Sequence, residues 1–117
     1  MINITFYRRN GVYYKFVEEG HALFAEAGDD IVCSAISAMT MLVVNSIEVA
    51  YAADVKYDID AEANKITVTA MAALPDYSED ERQQYAVAGL LQSYYIELMD
   101  MLEQYYEYID VNEVEEN

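Results

Sequence analysis

The stretch that decides the fold is residues 2–18, which read INITFYRRNGVYYKFVE. From Ile2 to Phe6, apolar residues alternate with polar ones, and this period of two predicts a strand with one buried face. Asn10-Gly11 follows, and because both residue types tolerate a positive φ, a tight hairpin turn is expected there. Val12–Glu18 is then predicted as the returning strand, and one of its faces would carry Val12, Tyr14 and Phe16.

The next segment changes from strand to helical periodicity. Apolar residues from Ile31 onward recur at helical spacing, which predicts a helix that runs to about Ala52 and is apolar nearly all round. Asp29 or Asp30 is expected to cap it, since a short carboxylate accepts hydrogen bonds from the unpaired N–H groups of a first helical turn. Such a helix should be deeply buried.

The second half repeats this order. Val55–Ile59 and Lys65–Ala72 alternate and predict a second hairpin. Ser78 and Glu81 have the spacing of a capping box. The long helix that follows carries one apolar seam, made of Val87, Leu91, Tyr94, Leu98, Met101 and Tyr105.

Residues 111–117 are polar and acidic, and about 112–117 are expected to form a flexible tail. The predicted order is β-β-α-β-β-α. It indicates an α/β (α+β) two-layer sandwich, with a four-stranded antiparallel sheet and two helices on one face. With 117 residues, the chain fits a single domain over 1–117.

Charge narrows the choice of partner. The chain has 6 Lys and Arg against 22 Asp and Glu, for a formal net charge of −16. Such a field repels nucleic acid and anionic lipid and attracts basic proteins. The alternative is that the acidic residues only keep a surface rich in Tyr and Met soluble.

Cysteine content and hydropathy favour the cytoplasm. The single Cys excludes an internal disulfide and fits a reducing compartment. No apolar run is expected to be long enough to span a bilayer. The N-terminus lacks the basic start and apolar block of a signal peptide.

The chain has one His and one Cys, which restricts the metal sites and catalytic pairs that it can form. Zinc needs several nitrogen and sulfur ligands, which this sequence cannot supply without carboxylates. His21 is expected to begin a loop, and Cys33 falls in the first turn of the buried helix, where N–H groups and the helix dipole stabilise a thiolate. A thiolate–imidazolium pair is therefore possible.

Other readings of these residues remain open. Cys33 could be a small core residue, and His21 a surface or capping residue. Asp30 could cap the helix or orient His21. Ser37, one turn beyond Cys33, could pack or make a polar contact to the site.

The segment Gly20-His21-Ala22, followed after seven residues by Asp30-Ile31-Val32-Cys33-Ser34-Ala35 and then by Ser37-Ala38, closely resembles the ribosomal-processing cysteine protease family, Prp. The resemblance extends to chain length and element order. It implies a homodimeric two-layer α/β enzyme without a cofactor or metal. Such enzymes remove a short N-terminal extension from the bacterial large-subunit ribosomal protein L-twenty-seven, a basic partner.

Residue by residue, the resemblance implies that Cys33 is the nucleophile and His21 the general base and acid. It implies supporting positions for Gly20, Asp30 and Ser37. Leu23 and Phe24 depart from the Gly or Tyr that such loops often carry, and they are expected either to line a pocket for substrate aromatics or only to pack on the helix.

Two rival functions stay open at this point. One is a non-catalytic acidic module that binds a basic ribosomal protein. The other is a thiol redox sensor in which Cys33 is oxidised and no peptide is cut.

Overall fold

The structure is a computed structural model that describes residues 1–20 and 31–116. Its elements follow one another in the order β-β-α-β-β-α-β. They are β1 (Ile2–Arg9), β2 (Val12–Glu19), α1 (Ile31–Asn45), β3 (Lys56–Asp60), β4 (Lys65–Thr69), α2 (Glu81–Tyr105) and β5 (Ile109–Glu116). A π-helical turn, Ser46–Ala50, continues α1, and two 3₁₀ turns, Met71–Ala73 and Pro75–Tyr77, precede α2.

The sheet has five strands in the order β3-β4-β2-β1-β5. Four of them pair antiparallel, but β5 pairs parallel to β1, with Ile2 opposite Ile109. The predicted four-stranded antiparallel sheet is therefore wrong in strand number and in sheet type. The predicted flexible tail at about 112–117 is also wrong as far as Glu116, because those residues belong to β5.

The acidic residues of β5 are ordered by partners on β1 and β2. Arg8 forms ion pairs with Glu113 at 3.1 Å and with Glu115 at 2.5 Å. The Tyr13 and Tyr14 hydroxyls donate hydrogen bonds to Glu113 and Glu116, respectively. These partners are about one hundred residues away in sequence, so composition alone suggested a solvated tail.

The first hairpin is confirmed. Asn10 and Gly11 both have positive φ, 51° and 79°, as the two-residue turn requires. The β1–β2 register shifts between Tyr7 and Arg8, so one extra residue is accommodated in β2. Beyond this bulge, Phe6 lies opposite Phe16 and both are fully buried.

Two elements, one helix and one strand, end earlier than predicted. The α-helical part of α1 ends at Asn45, before Ala52, and β4 ends at Thr69 rather than Ala72. The N-cap of α2 is Asp80, whose Oδ1 accepts hydrogen bonds from the N–H groups of Arg82 and Gln83. The predicted Ser78–Glu81 capping box is wrong, since the Ser78 hydroxyl instead donates to the Asp80 carbonyl.

Both helices pack on the same face of the sheet. The Tyr94 ring on α2 lies edge-on to Phe6 and Phe16, with centroids 5.7 and 5.1 Å apart. The predicted seam of α2 is buried at Val87, Leu91, Tyr94 and Leu98. Residues of both helices and of β1, β2, β4 and β5 form one hydrophobic core.

The stretch Ile31–Ala50 is, by length and composition, long and apolar enough to cross a membrane. The expectation that no such run exists is therefore wrong. Core helices of soluble proteins pass the same test, and here Ile36, Val43 and Val44 are buried in the core shared with the sheet.

Candidate functional site

Cys33 lies in the first turn of α1 and is buried. It belongs to the stripe of α1 that faces the protein interior, which also contains Val32, Ile36, Thr40, Val43 and Val44. The predicted position of Cys33 in the first turn of this helix is confirmed. The first-turn N–H groups of α1 therefore lie next to the thiol. The prediction of a deeply buried helix is wrong, because only one side of α1 is covered and Ile31 and Leu42 are exposed.

Four of the predicted site residues lie outside the described residues. They are the general base His21, the supporting residue Asp30 and the two predicted pocket residues Leu23 and Phe24. Their predicted roles stay predictions. The described chain stops at Gly20 and resumes at Ile31, two residues before Cys33.

Gly20 occupies a position that only glycine fits. Its φ is +142°, and its N–H donates a hydrogen bond to the Asn64 carbonyl at 3.0 Å. A Cβ built at Gly20 would collide with the Met1 carbonyl oxygen and lie 3.0 Å from Ile2 Cα. The backbone at the end of β2 is therefore held closely against the start of β1, immediately before His21.

Ser37 is exposed one helical turn after Cys33. Residues four apart on a helix are neighbours on its surface, about 5–6 Å apart at Cβ. Ser37 is therefore exposed rather than packed in the core, whereas Cys33 is on the buried side of α1.

A buried polar network, which was not predicted from the sequence, lies between the sheet and both helices. Glu18 on β2 is fully buried. Its Oε1 accepts a hydrogen bond from Thr40 Oγ1 on α1 at 2.6 Å and another from the Tyr94 hydroxyl on α2 at 2.9 Å. Strand alternation offered a signal, because position 18 lies on the same face of β2 as the buried Phe16.

The environment of Glu18 favours its neutral form. Burial raises the pKa of the Glu18 carboxyl from its ordinary 4.5 to about 7, while the Thr40 and Tyr94 hydrogen bonds lower it. Burial, followed by the charge of Glu18, raises the pKa of Tyr94 well above its ordinary value. The pKa of Tyr57 on β3 is raised for the same two reasons.

One open cleft lies away from Cys33. It has a volume of about 500 Å³, and its lining includes Ala52–Asp54, Met71 and Tyr77–Asp80. It lies past the far end of α1, and the α-helix from Cys33 to its last residue, Asn45, already extends about 18 Å at 1.5 Å per residue. We therefore place the candidate site at Cys33 and not in this cleft. Over residues 1–20 and 31–116, no group of three or more His, Cys, Asp or Glu side chains could hold a metal ion.

Comparison with known proteins gives one family and several similar structures. The family described as Cysteine protease Prp matches residues 1–110. No curated protein matches the sequence.

Three solved structures are similar over almost their whole length. SMU.848 from Streptococcus mutans is 26% identical, with a TM-score of 0.78, and the match covers 99% of this chain and 96% of that one. The essential ribosomal processing protease Prp from S. aureus, with a covalently linked product peptide, is 23% identical, with a TM-score of 0.76. The same protease with a substrate peptide is 22% identical, also with a TM-score of 0.76; both matches cover 97% of this chain and 100% of theirs.

Proposed function

This chain belongs to the cysteine protease Prp family, and from that premise we propose that it removes the N-terminal extension of the bacterial large-subunit ribosomal protein L-twenty-seven. Membership makes the chain a cysteine protease and hence a hydrolase. The observation that carries the proposal is the position of its only cysteine, Cys33, which is buried in the first turn of α1 within the matched residues 1–110.

In this proposal Cys33 is the nucleophile and His21 the general base and acid. His21 takes the thiol proton, and the sulfur attacks the scissile carbonyl carbon as the carbonyl electron pair moves onto oxygen. The N–H groups at the start of α1 stabilise that oxyanion. The C–N bond then breaks, the leaving amine receives the proton from His21, and water deprotonated by His21 hydrolyses the thioester.

The remaining predicted site residues have supporting roles. Asp30 precedes the helix that carries Cys33 and orients His21 or caps that helix. Ser37 offers an exposed hydroxyl one helical turn after Cys33, and Gly20 fixes the backbone that leads into His21. Leu23 and Phe24 are proposed to line the subsite for the aromatic residues before the scissile bond.

Peptide recognition is supported by the neighbours and by charge. The S. aureus protease was solved with a covalently linked product peptide and with a substrate peptide. The net charge of −16 would attract a basic ribosomal protein. That attraction should weaken as salt rises, because mobile ions screen exposed charges.

We propose further that the chain acts as one peptidase domain, in the cytoplasm, as a homodimer. On α2, Tyr94 is buried and Tyr95 stacks on Tyr13, so these two rings pack within the chain. Support for a contact between copies comes instead from exposed apolar side chains on the outer sides of the helices, Leu42 and Ile96, which are 64% and 52% exposed. Sedimentation of wild type and Leu42→Glu tests this proposal, and a wild-type monomer at micromolar concentration would contradict it.

The test of the function is digestion of L-twenty-seven that carries its N-terminal extension, followed by mass spectrometry. Wild type should release one short N-terminal peptide, whereas Cys33→Ala should release none. The matched control is Ser34→Ala, which changes the exposed neighbour of Cys33 and should cleave like wild type. An intact substrate with wild type, or cleavage by Cys33→Ala, would refute the proposal.

His21→Ala gives a second arm. It should abolish or greatly slow cleavage while the variant keeps a cooperative unfolding transition. The rival binding module predicts instead that Cys33→Ala and His21→Ala bind L-twenty-seven as wild type does and that no variant cuts it. The rival redox sensor predicts reversible oxidation of Cys33 without any peptide product.

A further inference from the structure

The buried carboxyl of Glu18 joins three elements at one oxygen atom. Oε1 of Glu18 lies 2.6 Å from Thr40 Oγ1 and 2.9 Å from the Tyr94 hydroxyl oxygen, and those two oxygens are 3.1 Å apart. Glu18 and Tyr94 belong to β2 and α2, and Thr40 belongs to α1. Hydrogen bonds are directional, whereas apolar contacts tolerate sliding, so this network fixes where α1 lies on the sheet.

The surroundings of the second carboxyl oxygen make the ionised form of Glu18 unfavourable. Oε2 is buried and has no hydrogen-bond partner within residues 1–20 and 31–116. In the same part of the chain, Glu18 has no ion pair with Lys or Arg. The titratable groups that act on it there are phenols, Tyr94 on α2 and Tyr57 on β3. Among these described residues, no cation compensates the charge of an ionised Glu18 carboxylate.

Thr40 connects this carboxyl to the candidate nucleophile. It lies seven residues after Cys33, which is two helical turns, about 10 Å along the axis and on nearly the same side of the helix. Both residues belong to the buried stripe of α1. A change in the hydrogen bond at Thr40 is therefore transmitted along one rigid helix to Cys33.

We propose that Glu18 is a positioning residue for Cys33, which it holds in place through Thr40, and that gain or loss of one proton on its carboxyl changes the placement of α1. When the carboxyl is ionised, its bonds from Thr40 and Tyr94 become charge-assisted and shorter. When it is protonated, they are ordinary neutral bonds. The inference rests on the proposed function only where it concerns catalysis. The alkylation rate of Cys33 tests the effect of Glu18 on the thiol without any substrate.

The test is the rate at which iodoacetamide alkylates Cys33 in the native protein, measured by mass spectrometry from about pH 6 to about pH 8. The informative quantity is the ratio of the wild-type rate to the variant rate at each pH. Glu18→Gln keeps an oxygen acceptor for Thr40 but cannot titrate. Since charge assistance roughly doubles hydrogen-bond strength, we expect this ratio to change by about threefold or more across the range.

Two further variants identify the route. Thr40→Val keeps the shape of the side chain and removes its hydroxyl, so its ratio should change with pH in the same way. Glu19→Gln removes the same charge from the exposed neighbour and should give a flat ratio. If Glu18→Gln does not unfold cooperatively, Glu18→Met provides the non-titrating side chain instead.

The alkylation-rate ratios of Glu18→Gln and Thr40→Val decide whether the proposal holds. A flat ratio for Glu18→Gln would overturn the proposal, and so would a flat ratio for Thr40→Val beside a changing one for Glu18→Gln. If wild type does not cleave L-twenty-seven while the ratios of both variants change with pH, the proposed function is refuted. Glu18 is then still a positioning residue for the thiol.

Discussion

Replacing Glu18 by Gln should remove a large part of the pH dependence of stability. The folded pKa of Glu18 is about 7, above its ordinary 4.5. A raised folded pKa means that the native state binds the proton more tightly than the unfolded chain does. The stability from this group is therefore complete below pH 4.5 and is lost as the pH rises through 7.

The magnitude follows from the two pKa values. The difference between about 7 and 4.5, at about 1.4 kcal/mol per pH unit, amounts to roughly 3 kcal/mol of unfolding free energy. Part of this loss of unfolding free energy occurs below pH 5. Between about pH 5 and about pH 8.5, the unfolding free energy of wild type should therefore fall by on the order of 2–3 kcal/mol more than that of Glu18→Gln. This is a large share of the stability of a domain of this size.

Urea unfolding at several pH values measures this difference. The chain has 12 Tyr and no Trp, so tyrosine fluorescence and far-ultraviolet circular dichroism can follow the transition. The range starts above the isoelectric point of about 4.1 to avoid precipitation. Glu19→Gln is the matched control and should track wild type at every pH. Parallel stability curves for wild type and Glu18→Gln would show that the carboxyl of Glu18 is not held neutral by burial.

The other predictions concern the backbone and the last strand. Gly20→Ala should lower the free energy of unfolding by about 1–3 kcal/mol, because its φ is +142° and the new Cβ would collide with Met1. Gly89→Ala, in open space on α2, should instead raise it by about 1 kcal/mol; equal effects in urea unfolding would contradict the strain argument. Ile109→Ala should cost about 2–5 kcal/mol, because Ile109 is buried on β5, whereas Val114→Ala, 40% exposed, should cost far less. Equal midpoints for those two variants would mean that β5 does not pack as described.

Local patterns predicted the elements that depend on neighbours in sequence. The first hairpin could be predicted because alternation and Asn10-Gly11 both act within a few residues. The fifth strand could not, because its acidic side chains are ordered by Arg8, Tyr13 and Tyr14, about one hundred residues away. A run of acidic residues indicates solvent unless those partners are known to be adjacent.

The candidate site also contains residues that could be predicted from the sequence and one that could not. The position of Cys33 followed from helical spacing and is confirmed, and family membership follows from the motif around it. Glu18 was missed because its residue type suggests exposure, although strand alternation points it inward. Its hydroxyl partners lie on two helices distant in sequence, so only the tertiary structure reveals that a carboxyl can be accommodated there.

The parallel pairing of β1 with β5 has a consequence for synthesis of the chain. Ile2 meets Ile109, so the side of β1 that pairs with β5 has no partner until residues 109–116 have been synthesised. Contacts this distant in sequence slow folding, and an unpaired strand edge invites association with other nascent chains. The β1–β2 hairpin should therefore form early, while completion of the sheet must wait for β5.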